Sequence, residues 1–162
     1  SDEAGIVAMG LGIDDHGYLL ADRTKRDSPL GWATEAVDLY HDLEADRIVA
    51  EVNNGGDMVE LTLRVVDDTI PYEAVTASRG KMVRAEPVAA VSERGMIHHV
   101  GTFPELEDEL VTWQPGKPSP NRLDAYVWAA TALGLVRHRK RKVRVWFPGM
   151  DSAKDDAQEA VA

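Results

Sequence analysis

The chain contains no cysteine among its 162 residues. This absence excludes disulfides, a thiolate nucleophile and a thiolate metal site, so any metal ion would be held by oxygen or imidazole. The sequence also lacks an apolar run as long as a transmembrane helix, and its N-terminus lacks the basic and apolar regions of a signal peptide. We therefore expect a soluble, cytoplasmic protein.

Positive charge is scarce as well. Lys and Arg number 18 against 28 Asp and Glu, which gives a formal net charge of −10 and argues against indiscriminate binding to a polyanion. The distribution of charge along the chain limits this argument, because basic residues cluster at positions 137–144 and acidic residues cluster after Met150. The basic segment has two equally good interpretations, a nucleic-acid contact or a solvated face.

The residues that are present fit one globular domain over residues 1–149 and an acidic, disordered tail over 150–162. Strands are predicted at 5–12 and 18–22 as a hairpin, and at 47–52, 72–76 and 96–100. Helices are predicted from Pro29 to about Glu44, at 57–66, at 78–94 with a kink or restart at Pro87, at 103–113, and from Pro120 with Ser119 as N-cap. This alternation predicts a three-layer α/β fold with a mixed sheet.

Two carboxylates stand out against this pattern. Asp124 falls in the first turn of a helix on an apolar stripe, where an acid either favours the helix dipole or binds a partner. Glu51 ends an apolar strand, and ligands of α/β sheets bind outside the carboxyl ends of strands. Such hard oxygen ligands suit Mg²⁺ or Mn²⁺, and these ions suit phosphodiester cleavage.

Four segments, taken in order, carry a family resemblance: RIVAEVNNGGD at 47–57, ASRGKMVRAEP at 77–87, HHVG at 98–101 and SPNRLDAYVW at 119–128. Over about residues 2–135, the chain resembles the C-terminal nuclease domain of tailed-phage large terminase subunits. The resemblance implies an RNase H-like fold, a mixed central β-sheet flanked by helices, and metal-dependent cutting of concatemeric double-stranded viral DNA during head packaging. It places Glu51 and Asp124 at two of three acidic metal-ligand positions, with Mg²⁺ or Mn²⁺ as cofactor.

The beginning of the sequence departs from this family. The family's first catalytic aspartate ends a strand that precedes the hairpin, and no such strand is predicted before Gly5. Asp2 falls in the loop that would follow that strand and is a candidate third ligand. No GxxxxGK[ST] motif occurs, so we expect an excised nuclease domain without ATPase activity. The implied partners are double-stranded DNA, the terminase ATPase domain, the small subunit and the portal, without a membrane, in the host cytoplasm.

Further residues have candidate roles around these acids. The candidate DNA-binding residues are Arg79, Lys81, Arg84, Arg139, Lys140, Arg141 and Lys142, and the candidate site-shaping residues are Asn53, Asn54 and Gly55. For the first group the alternative is a solvated surface, and for the second an ordinary turn at the end of a strand. His98 and His99 are adjacent on a strand, so at most one faces the metals, and structural roles are favoured. Trp32, Trp113 and Trp128 are expected in the core.

Three hypotheses follow from the sequence. The leading one is a metal-dependent DNA endonuclease with little sequence preference. The second is a DNA-binding or portal-docking fragment that cannot cut because its first acid is missing. The third is another RNase H-like enzyme, a junction resolvase or an RNase H.

Overall fold

Helices and strands alternate along most of the chain. The computed structural model describes residues 3–52, 56–77, 81–136, 142–144 and 159–161. The strands in this part are β1 (Glu3–Ala4), β2 (Val7–Leu11), β3 (Gly17–Asp22), β4 (Lys25–Arg26), β5 (Ile48–Glu51), β6 (Tyr72–Val75), β7 (Ile97–His99), β8 (Lys142–Arg144) and β9 (Glu159–Val161). The helices are α1 (Pro29–Asp42), α2 (Asp57–Val66), α3 (Lys81–Glu93), α4 (Pro104–Thr112) and α5 (Asn121–Ala132). None of the described helices has both the length and the apolar character needed to cross a membrane.

The predicted hairpin is confirmed and forms part of a mixed sheet. β2 and β3 are antiparallel, and β7 lies parallel to β3 on its other side, so the strand order is β2-β3-β7. In the turn, the His16 backbone N–H donates to the Asp14 carboxylate at 3.0 Å, and Asp15 has a left-handed φ of 61°. Aspartate suits such turns because its side chain bonds nearby backbone and tolerates this conformation. β5 and β6 form a parallel pair, and β1 pairs with β4.

Two buried clusters hold the helices against the strands. One cluster is centred on Leu19, Leu106 and Tyr126, which are at most 1% exposed, and it joins β3 and β7 to α3, α4 and α5. The other joins Ala33 and Val37 of α1 to residues of α2 and of the segment before β6. Helices packed on strands in this way form the α/β fold with a mixed sheet that the sequence predicts.

Helix α5 lies beside two strands, and its contacts define the direction in which β5 runs. It contacts both β2 and β5. Near its N-terminus, a Cβ atom on Gly5 would collide with the Asn121 carbonyl, so the backbones approach closely and only glycine fits. At its other end, the Arg47 guanidinium donates to the Ala132 carbonyl at 3.5 Å. β5 therefore begins beside the C-terminus of α5 and carries Glu51 towards the N-terminal half of the helix.

The start of α5 differs from the sequence prediction. Ser119 is not the N-cap, and Pro120 is not the first helical residue: Pro120 occupies the cap position with an extended ψ of 156° and the helix begins at Asn121. The Glu109 carboxylate from α4 accepts the Leu123 backbone N–H at 3.1 Å. A tertiary contact thus supplies the acceptor that a capping serine would have provided.

The structure adds detail to two other predicted segments, the helix around Pro87 and the C-terminal tail. Pro87 lies inside α3 without ending it, because Ala85, Val88 and Val91 are buried in the core and hold the helix through the one missing N–H. The short strand β9 lies within the predicted tail and pairs with β8, and disorder of residues 150–158 stays a prediction. Antiparallel pairing satisfies its backbone groups, and residues 150–158 lie outside the described part of the chain.

Candidate active site

The Glu51 carboxylate ends β5 and faces α5. The indole Nε1–H of Trp128 donates to Glu51 Oε2 at 2.9 Å. The Glu51 side chain keeps 22% of its surface exposed, so it is reachable from solvent. A strand end thus presents an oxygen ligand whose orientation is fixed by a tryptophan of the neighbouring helix.

Asp124 lies one helical turn before Trp128. Residues four apart share a helix face, with Cβ atoms about 5–6 Å apart, so Asp124 lies beside the side chain that contacts Glu51. The Ser119 hydroxyl donates to Asp124 Oδ1 at 2.5 Å, which orients this carboxylate as Trp128 orients Glu51. Glu51 therefore bonds a residue of α5 that lies one helical turn after Asp124.

Arg84 adds a positive charge to this site. Its Nη2 lies 3.8 Å from Glu51 Oε1, and its Cζ lies 4.7 Å from the centroid of the Trp128 ring. Only 11% of the Arg84 side chain is exposed, so the guanidinium is largely removed from water. A cation over an indole ring is favourable, and it strengthens as water is excluded. Arg84 thus contacts both residues that connect β5 to α5.

Glu51 and Asp124 supply the type of donor that Mg²⁺ and Mn²⁺ prefer. Both are carboxylates, both are partly buried, and each has a neighbouring donor that orients it. A site of two acids has room for a further ligand. The candidate third ligand, Asp2, lies outside the described residues, as do Asn53, Asn54 and Gly55.

Three other acids near the start of α5 are paired with one arginine, Arg122. The Arg122 guanidinium donates to Asp22 at 2.9 Å and to Glu109 at 3.3 Å, and it lies 3.6 Å from Glu3. Burial lowers the pKa of Arg122, but the carboxylates of Asp22, Glu109 and Glu3 outweigh burial and raise it. These acids stabilise the start of α5, and Asp22 is the last residue of β3.

The two adjacent histidines face opposite sides of β7, as alternation along a strand requires. His99 contacts the Glu107 carboxylate at 3.0 Å and the Tyr126 hydroxyl at 3.4 Å. The hydrogen bond from His99 lowers the pKa of Glu107, and burial raises the pKa of Tyr126. His98 instead faces His16 in the hairpin turn, with 2.8 Å between ring nitrogens.

The predicted DNA-binding residues are only partly described. Arg84 lies at the carboxylate site, whereas Arg79, Arg139, Lys140 and Arg141 lie outside the described residues. Lys81 and Lys142 are the first residues of α3 and β8, and the description of both stops at the backbone.

The contact of Trp128 with the candidate site was missed by the sequence analysis. Trp32 and Trp113 pack against the two cores as predicted, but Trp128 is half-buried and bonds Glu51. Trp128 follows Asp124 by four residues. This spacing is the sequence signal that could have revealed it, because it places the indole and the carboxylate on the same face of the helix. The spacing could not reveal that Glu51 approaches the same face.

Comparison with known proteins identifies a family for most of the chain. The family described as a terminase RNaseH-like domain matches residues 1–133, which includes Glu51, Asp124, Trp128 and Arg84. Searches among curated proteins and among solved structures gave no significant match. The match spans most of the chain and covers its α/β core. The chain therefore belongs to the terminase RNaseH-like domain family.

Proposed function

We propose that this domain is a divalent-metal-dependent endonuclease that cuts double-stranded DNA for a viral packaging terminase. One observation carries the proposal: Trp128 bonds Glu51 and lies one helical turn from Asp124, so two acids distant in sequence share one face of α5. The terminase family to which the chain belongs supports a nuclease role. The substrate is concatemeric phage DNA in the host cytoplasm, and the ATPase domain, the small subunit and the portal are its packaging partners.

The two carboxylates would hold the ion and set its position. Mg²⁺ or Mn²⁺ bound there supplies an activated water and neutralises charge on the phosphate. Trp128 and Ser119 keep Glu51 and Asp124 in position, because each donates to one oxygen of a ligating carboxylate. Arg84 lies close enough to Glu51 to turn its guanidinium towards a bound phosphate oxygen.

The remaining candidate cations position the DNA backbone. Arg79 and Lys81 lie along the chain just before Arg84, and the strip Arg139, Lys140, Arg141 and Lys142 follows α5. Contacts to phosphate carry no sequence information, so cutting has little sequence preference.

Plasmid cleavage tests this function. With Mn²⁺ or Mg²⁺ the chain nicks or linearises plasmid, and a chelator stops it. We expect Glu51→Gln and Asp124→Asn each to lower the rate by about 100-fold or more, since losing even an outer contact to a metal ligand costs up to about that much. Matched controls are Glu73→Gln and Asp108→Asn, which change exposed acids on β6 and α4. Cleavage that survives both site variants would contradict the site.

A second candidate is a domain that binds DNA or docks on the portal without cutting. The contacts of Glu51 favour it, because both carboxylate oxygens already have partners: Oε2 accepts the Trp128 N–H, and Oε1 lies beside Arg84. A form extended at the N-terminus by the strand that the family resemblance implies separates the two. If the extended form cuts and the present chain only binds DNA, the second candidate holds. Preferential cutting of four-way junctions or RNA–DNA hybrids would instead indicate a resolvase or an RNase H.

A further inference from the structure

Three side chains with metal-binding atoms meet at the turn of the β2–β3 hairpin. Asp14 and His16 belong to the turn, and His98 comes from the neighbouring strand β7. One ligand atom of each lies within 4.8 Å of the others. His16 Nδ1 faces His98 Nε2 at 2.8 Å, and Asp14 Oδ2 lies 3.7 Å from His16 Nδ1. The proposed nuclease chemistry uses none of these residues.

Neighbouring groups hold the three side chains in this arrangement. The Tyr18 hydroxyl donates to Asp14 Oδ2 at 2.6 Å, and the His16 backbone N–H donates to Asp14 Oδ1 at 3.0 Å. The Tyr18 ring also stacks on His98, with 5.0 Å between ring centroids. Donors that orient a carboxylate or an imidazole are typical surroundings of metal ligands.

The contact between the two imidazoles distinguishes this cluster from the other histidines that the structure describes. His41 contacts the Asp67 carboxylate and His99 contacts Glu107, so each has an anion as partner. His16 and His98 face one another through ring nitrogens, which requires a proton on one nitrogen and a lone pair on the other. A divalent cation can replace that proton, which moves to the other nitrogen of its ring, and the cation then binds both lone pairs.

We propose that Asp14, His16 and His98 bind a divalent transition-metal ion of the Zn²⁺ type. Bonds of about 2.0–2.2 Å in tetrahedral geometry place ligand atoms about 3.4 Å apart. The separations of 2.8 and 3.7 Å lie on either side of this value, and all three ligand atoms lie within 4.8 Å of one another, so rotations of the side chains can bring them to one ion. Imidazole favours Zn²⁺, Ni²⁺ and Cu²⁺ over Mg²⁺, which makes this site chemically different from the Glu51 and Asp124 pair.

The position of the cluster indicates a structural effect. Two ligands come from the hairpin turn and one from β7, so the ion fastens the turn to the neighbouring strand. A Cβ atom on Gly17 would meet Leu135, which places the turn beside the end of α5 opposite to Asp124. An ion bound there stabilises the folded chain by mass action and leaves the carboxylate pair to its own ion.

Calorimetric titration of the purified chain with ZnCl₂ tests the site. We expect one Zn²⁺ per chain with a micromolar dissociation constant, and no competition from millimolar Mg²⁺. His16→Gln and His98→Gln each weaken binding at least tenfold, whereas the control His41→Gln does not. The double variant Glu51→Gln with Asp124→Asn binds Zn²⁺ as the parent chain does, which separates this site from the proposed nuclease centre.

Imidazole ¹⁵N resonances of the parent chain provide a second measurement that needs no variant to fold. Zn²⁺ should shift the resonances of His16 and His98 and leave those of His41 and His99 in place. Absence of saturable binding at tens of micromolar Zn²⁺, shifts confined to other histidines, or equal affinity in the His16 and His98 variants would overturn the proposal.

Discussion

At the scale of single residues, Trp128 connects the two acids of the proposed site. Its indole N–H reaches Glu51, its ring supports the Arg84 guanidinium, and its position is one turn after Asp124. Orientation of a ligating carboxylate by a neighbouring donor contributes to metal affinity. The indole N–H can be removed without removing an aromatic ring.

The substitution Trp128→Phe tests this orientation. It keeps a ring under Arg84 but deletes the donor to Glu51, so we expect Mn²⁺-dependent cleavage to fall about 10-fold with the fold intact. The control is Trp113→Phe, which deletes an indole donor to the Lys117 carbonyl. Cleavage rates at several Mn²⁺ concentrations measure the effect. Equal activity of the two variants would show that the indole N–H does not orient Glu51.

At the scale of elements, the start of α5 is held by charge rather than by its own cap. Glu109 accepts the Leu123 N–H, and Arg122 connects Glu109 to Asp22 at the end of β3. These groups are at most 18% exposed, so their charges depend on one another. The helix that carries Asp124 is thereby fixed to a strand and to a second helix.

Removing Arg122 should loosen that anchor. Arg122→Ala leaves Asp22 and Glu109 without their cation, so we expect a loss of about 2 kcal/mol in the free energy of unfolding, below the range for fully buried pairs. Urea unfolding measures it. The control is Arg47→Ala, which breaks an exposed pair with Glu73 and a long, exposed hydrogen bond to the Ala132 carbonyl, and it should change stability by less than about 1 kcal/mol. A similar effect of both variants would contradict the anchoring role.

The contact between α1 and the end of α2 depends on pH. Hydrogen bonds from the Thr69 hydroxyl and backbone N–H, together with His41, lower the pKa of Asp67 from 3.8 to about 2. A carboxyl whose pKa is lowered by folding stabilises the folded state above its unfolded pKa of about 3.9. That contribution disappears as the pH falls towards 2.

The variant Asp67→Asn lacks this contribution at every pH. We therefore expect it to be less stable than the parent at pH 6, with the difference shrinking between pH 4 and pH 2. Thermal unfolding followed by circular dichroism measures both curves, with the exposed Asp46→Asn as control. A constant difference down to pH 2 would show that Asp67 does not titrate in this way.

At the scale of the whole molecule, charge is divided unevenly. The net charge is −10, yet basic residues crowd positions 137–144 just after the helix that carries Asp124. An acidic surface repels DNA except where cations cluster, so the proposed function predicts that DNA approaches at this strip.

Replacing Arg139, Lys140, Arg141 and Lys142 by glutamine tests that division. Each lost phosphate contact should lower the salt dependence of binding by about 0.9 in log–log slope, and affinity should fall with it. We expect cleavage at saturating DNA to stay unchanged, because the proposed role of these residues is to hold phosphate, whereas the proposed chemistry depends on Glu51 and Asp124. Binding titrations at several salt concentrations and single-turnover cleavage measure the two effects. Loss of cleavage at saturation would contradict the separation.

The sequence by itself determined the five described helices, the longer strands and the chemistry of the candidate ligands. Periodicity predicted the hairpin, the strand that ends at Glu51 and the helix α2 with its observed bounds, because these patterns follow from local backbone geometry and burial. Carboxylates at a strand end and at a helix start indicated an oxygen-ligand site. Their residue types, and not their separation, carried that inference.

Only the tertiary structure decided which groups meet. Packing of β5 along α5 brought Glu51 to Trp128, the α4 residue Glu109 replaced Ser119 as the acceptor at the start of α5, and β7 brought His98 to the hairpin turn. Contacts between residues far apart in sequence depend on how helices and strands pack. Local sequence patterns do not determine which side chains that packing brings into contact. The acids and the candidate cation Arg84 were therefore visible in the sequence, whereas the donor that orients Glu51 became visible only in the folded chain.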